Sequence, residues 1–83
     1  MTIPRWQCHK QVQAFKIGSI ALSEVVGVWV LHPEVSDINA VEVDGAYIVK
    51  HKPKIGGYYV RYDDGYESWS PAATFEAGYT RIQ

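Results

Sequence analysis

Eighty-three residues leave room for one small domain, and its core must be supplied by large side chains: three Trp, six Tyr and two Phe, each burying roughly 150–250 Å². Eight basic and nine acidic residues, a formal net charge of −1, create no overall field to collect a polyanion, so generic phosphate binding is disfavoured. The single cysteine, Cys8, excludes an internal disulfide framework and suits a reducing compartment.

The first residues, Met1 to Gln13, scatter Arg5, His9 and Lys10 among polar neighbours with no apolar stretch behind them. Val25 to Leu31 is apolar but interrupted by Gly27, far short of the ~20 residues a membrane span requires. The expectation is a cytoplasmic chain, one domain over residues 1–83, with no leader and no membrane segment.

Gln11 to Ile17 reads as a strand. Val12 and Ala14 alternate with glutamines while Phe15 and Ile17 fall on the opposite face, so either both faces are covered or a bulge near Ala14 switches the phase. Gly18 to Val25 reads as a connection. Val26 to His32, rich in β-branched and aromatic residues and closed by Pro33, predicts a second strand, and Glu34 to Asn39 is polar turn material.

Val41 to Lys52 admits two readings. Asp44-Gly45 could form a type I′ hairpin turn between Val41 to Val43 and Ala46 to Val49. Alternatively Asp44 is an N-cap, and Ala46, Tyr47, Val49 and Lys50 build a short helix that Pro53 ends.

The last third is more explicit. Tyr58 to Asp63 predicts a strand, with Asp64-Gly65 as a two-residue turn before Tyr66 to Trp69. That turn would set Val60 opposite Trp69 and Tyr62 opposite Glu67. Tyr58, Val60, Tyr62 and Trp69 would then form a core face, leaving Tyr59, Arg61, Asp63, Tyr66 and Ser68 on the other. Ser70-Pro71 reads as a helix start with Ser70 as cap, the helix runs to Ala77, and Gly78 stops it in a left-handed cap. Ala72 and Phe75 would face the sheet, and Tyr79 to Ile82 would return as a short final strand.

The run GGYYVRYDDGYESWSPAATFEAGYTRI, preceded by AYIVKHKP and near the start by QCHKQVQAFKI, resembles a family of small uncharacterised proteins of tailed bacteriophages and prophages. The resemblance covers Trp6 to Ile17 and Ala46 to Ile82, and is most specific in the second block; Gly18 to Ala40 has no firm counterpart. It implies a phage or prophage origin and a helix over Ala46 to His51. It implies nothing about activity, because the matched residues are turn, cap and core types.

Candidate sites are few. Cys8, His9, His32 and His51 include enough ligands for zinc, yet they are spaced too far apart for a ligand-pair motif, so no metal and no other cofactor is expected. Cys8 with His32 and Asp37, or any of Ser19, Ser23, Ser36, Ser68 and Ser70, has no nucleophile elbow or phosphate loop around it, and no enzymatic activity is expected. Asp63, Asp64 and Glu67 read as a solvated turn.

Lys50, His51, Lys52 and Lys54 form the main basic cluster. With Arg61 nearby and Tyr59 and Tyr66 as stacking surfaces, the cluster suits nucleic acid, although the acidic hairpin tip offsets part of its field. The same residues suit protein recognition, in which Tyr and Arg are common anchors. The expectation is therefore an α+β domain. It has a mostly antiparallel sheet of three to five strands, with one or two short helices packed on one face. Its function is read as that of a phage or prophage accessory protein binding a host protein, a phage protein or a second copy of itself. The expected surface consists of Tyr59, Arg61, Tyr66, Lys50, Lys52 and Lys54, and nucleic-acid binding through Lys50 to Lys54 is the alternative.

Overall fold

The computed structural model describes residues 3–7 and 11–82. Among these residues, seven strands and two helices follow in the order β1 (Arg5–Gln7), β2 (Gln11–Leu22), β3 (Val28–Pro33), β4 (Val41–Asp44), α1 (Gly45–His51), β5 (Tyr58–Tyr62), β6 (Glu67–Ser70), α2 (Ala72–Gly78) and β7 (Thr80–Arg81). The fold is a small α+β fold built on one sheet, and every strand pair formed is antiparallel. Seven strands exceed the three to five expected. The additional ones include β1, only three residues long and too short for any periodicity to announce it, whereas β7 lies within the short final strand expected over Tyr79 to Ile82.

Strand β2 organises the rest. On one edge Ala14 donates to Pro4 and Lys16 accepts from Glu34, so β1 and then β3 follow each other along it. On its other edge β2 pairs with β5, from Val12↔Tyr62 to Lys16↔Tyr58. Gly18 does not end the strand. It lies where the β2–β3 register shifts between Ile17 and Ser19, and a Cβ there would meet the Glu34 backbone at 2.8 Å. The expected connection from Gly18 is therefore strand as far as Leu22, and the turn falls at Ser23–Gly27, where Gly27 adopts φ +82.

Both faces of β2 are covered, the first of the two readings of its pattern. Phe15 and Ile17 join Ile3, Leu31, Val41, Val43, Tyr47 and Tyr59 in one buried cluster. Val12 and Ala14 join Tyr58, Val60 and Phe75 in another. Helix α1 contributes Tyr47 to the first and α2 contributes Phe75 to the second, so the helices lie on opposite faces rather than one. In the second cluster Phe75 stacks between Tyr58 at 4.3 Å and Tyr79 at 4.4 Å, with Trp6 edge-on at 5.0 Å.

Asp44 settles the ambiguous segment as a helix. It ends β4 in an extended conformation and its Oδ1 accepts the Tyr47 N–H at 2.9 Å. The hairpin differs from the two-residue turn. Gly65 N–H donates to Tyr62 O, Tyr62 N–H donates to Tyr66 O, and only Gly65 has positive φ, so Asp63-Asp64-Gly65 is a three-residue loop. An I′ turn would need positive φ at Asp64 as well. The register moves by one residue, Trp69 pairs with Tyr59 rather than Val60, and Trp69 packs against the first cluster.

Two cap assignments are also corrected. Ser70 is still paired with Tyr58 in β6, so Pro71 takes the N-cap position of α2 with no side-chain bond. Gly78 stays within the helix, and Tyr79, extended and stacked on Phe75, leads directly into β7.

Candidate functional site

Strand β5 divides the expected surface into a buried and an exposed part. Tyr59 is 0% exposed and stacks on Phe15 at 5.2 Å. It is a core residue and not an anchor, because α1 covers this face and brings Tyr47 within 6.3 Å of its ring. The Tyr59 hydroxyl nonetheless reaches the next layer: it donates to Glu67 Oε2 at 2.5 Å and accepts from Arg61 Nε at 3.0 Å. Burial, and then the bond to Glu67, push its pKa well above the usual phenol value, with Arg61 opposing. The phenol therefore keeps its proton at neutral pH and holds the guanidinium in place.

Arg61 is half-buried, its guanidinium carbon 5.6 Å from the Tyr59 ring centroid. It lines a depression of about 280 Å³ with Gln13, Asn39, Ala40, Val41 and Ile3. Among the described residues no carboxylate lies within ion-pair distance of it.

Helix α1 builds the second part. Tyr47 Oη donates to the Ser68 carbonyl at 2.7 Å, tying the helix to β6, and burial raises the pKa of this phenol strongly. One turn on, the His51 ring lies 4.8 Å from Tyr47 and 6.1 Å from Tyr66. Burial, and secondly the Lys50 charge, lower the His51 pKa. The Lys50 ammonium sits 5.1 Å from the Tyr66 ring centroid, within cation–π range.

Tyr66 and Tyr62, 5.8 Å apart, wall an open cleft of about 560 Å³ with Gln11, Asp63 and Asp64. Asp63 is paired with Arg5 at 3.8 Å, and Asp64 Oδ1 accepts the Tyr66 N–H at 2.9 Å. These carboxylates hold the turn, while Glu67 takes the Tyr59 proton donor.

The structure thus joins Arg61 to Tyr59 and Lys50 to Tyr66, with Tyr47 and His51 bridging the two pairs. In the sequence Tyr47 is one of the residues that build the short helix, and its contacts to Tyr59 and Ser68 were not expected. The available signal was helical spacing, since Tyr47 and His51 are four residues apart behind the Asp44 cap and so share a face. Lys52, in the left-handed C-cap of α1, and Lys54 are exposed, and no hydrogen bond, ion pair or ring contact joins either to the others.

Cys8 and His9 lie outside the described residues. Among the described residues no group of three or more His, Cys, Asp or Glu converges, and no serine hydroxyl is hydrogen-bonded to a histidine. Among them, too, no helix is long and apolar enough to cross a membrane. Comparison of the chain with protein-family models, with curated proteins and with solved structures finds no match.

Proposed function

We propose that this chain is a phage- or prophage-encoded accessory protein that acts by binding another protein, through the surface joining the end of α1 to the β5–β6 hairpin. The resemblance of its second half to small phage proteins supports the origin. The observation that carries the binding reading is Tyr66. It is the one aromatic side chain among the described residues that is largely exposed, 46%, although its ring is held by Lys50, His51 and Tyr62. A ring fixed at the mouth of an open cleft, with a cation beside it, loses little freedom on binding and has the chemistry of an interface anchor.

A pull-down from nuclease-treated lysate of an infected or lysogenic host, wild type beside Tyr66→Ala, tests the reading. Wild type should retain a specific protein in moderate salt and the variant should lose it. Equal recovery by a folded variant would remove the basis for this surface.

Nucleic-acid binding rests on the exposed Lys50, Lys52 and Lys54. It predicts oligonucleotide affinity that falls steeply with salt and vanishes in the triple alanine variant. The unpaired state of Lys52 and Lys54 favours it, and the engagement of Lys50 with Tyr66 counts against it.

A further inference from the structure

Arg61 follows Tyr59 on the same face of β5 and stands half-buried beside the first cluster. Its Nε is committed to the Tyr59 hydroxyl at 3.0 Å, and that hydroxyl is fixed in turn by Glu67. None of its remaining donors has a partner among the described residues, since no other hydrogen bond or ion pair involves Arg61. The side chain is therefore held by one nitrogen with its other end unused, beside a concavity of about 280 Å³.

The lining of that concavity narrows the ligand. Gln13 and Asn39 add side-chain amides, whose NH₂ groups donate, while Ile3, Ala40 and Val41 supply an apolar wall. An anchored guanidinium beside two amides matches a planar carboxylate, which takes two parallel N–H bonds from arginine. The apolar wall next to it suits a side chain on the carbon that bears that carboxylate.

We infer that the Arg61 depression is a carboxylate-recognition site, and that its occupant is the C-terminal α-carboxylate of a partner protein ending in an apolar residue. This rests on the protein-binding reading for the source of the carboxylate, but on different residues from the Tyr66 surface. Tyr59 and Glu67 are positioning residues: Tyr59 holds the arginine, and Glu67 holds the Tyr59 hydroxyl.

The test is an NMR titration of the ¹⁵N-labelled full chain with an acetylated tripeptide ending in an apolar residue, as free acid and as C-terminal amide. The acid should produce saturable shifts at Arg61 Nε–H and at the Gln13 and Asn39 side-chain amides. The amide, lacking the charge, should bind at least about tenfold more weakly. Arg61→Gln should abolish the shifts, and Arg61→Lys, which keeps the charge but loses the fork, should weaken binding similarly. Asn39→Asp, on an exposed loop residue with no hydrogen bond of its own, places a negative charge on the rim and should abolish binding without touching the core. Absence of saturable shifts with the acid, equal binding of acid and amide, or full binding by Asn39→Asp would each overturn the site. Acetate binding as tightly as the peptide would overturn the assignment to a protein terminus. If the peptide fails while Tyr66-dependent capture of a partner persists, this site falls and the protein-binding reading stands.

Discussion

A Cβ atom at Gly57 would sit 2.3 Å from Cζ2 of Trp69, so the indole occupies the space in which a side chain would stand. Ring and glycine are brought together by the one-residue shift of the hairpin, which turns Trp69 toward Tyr59. Gly57→Ala is therefore expected to destabilise the fold by about 1–3 kcal/mol through overpacking, read as a lower urea midpoint. Trp69 Nε1 is buried without an acceptor, so Trp69→Phe gives up no hydrogen bond. In the double variant the smaller ring should return part of the loss, and strict additivity would show that the two residues do not compete for one space.

The three-residue loop predicts unequal responses from its neighbours. Gly65, at φ +91, resists any β-branched replacement, and Gly65→Val should cost about 1–2 kcal/mol. Asp64 is not at positive φ, so Asp64→Val should lose only its bond to the Tyr66 N–H, about 1 kcal/mol or less. Equal and large penalties in thermal unfolding would instead indicate a type I′ turn.

Lys52 closes α1 at φ +47, the one non-glycine residue at positive φ among those described. Lys52→Gly should raise stability by about 0.5–1 kcal/mol, relieving the Cβ strain at a modest cost in chain entropy. A lower melting midpoint would contradict this.

Alkaline pH should destabilise the protein through its buried tyrosines. Burial raises the pKa values of Tyr47 and Tyr59, and burial with the Glu76 hydrogen bond pushes Tyr58 up to about 12. Above the ordinary value near 10 the unfolded chain loses these protons first, so stability falls as pH rises through that value toward the folded ones. Ultraviolet titration should show these tyrosines ionising late and together with unfolding. His51 has the opposite sign of pH response. Its folded pKa is below 6.5, the unfolded state binds the proton more tightly, and stability falls as pH drops through that region. His51→Gln should flatten that slope.

Local pattern narrowed two segments to a pair of readings each, of which the structure shows one. The alternation of Val12 and Ala14 against Phe15 and Ile17 allowed a strand with both faces covered, and Asp44 before Tyr47 allowed a capped helix. What local pattern could not carry was long-range placement. Asp-Gly serves a two-residue and a three-residue hairpin equally, and that choice alone decides which face Trp69 occupies. Tyr59 looked free because nothing near it in sequence covers it, whereas its cover, Tyr47, comes from a helix that reaches it through the Ser68 carbonyl. Of the expected surface, Arg61, Tyr66 and Lys50 acquire defined neighbours; Lys52 and Lys54 do not.

Because β2 and β5 each place alternate residues in the two clusters, neither cluster can give up those strands without disturbing the other. Loosening Phe75 on one side disturbs the same backbone that holds Phe15 on the other, so the domain has no natural halfway state. Slow amide exchange should be shared along residues 12–17 rather than graded from one side to the other. A partner seated at the rim would then slow exchange throughout the domain, and a bound ligand would be detectable from amides far from where it sits.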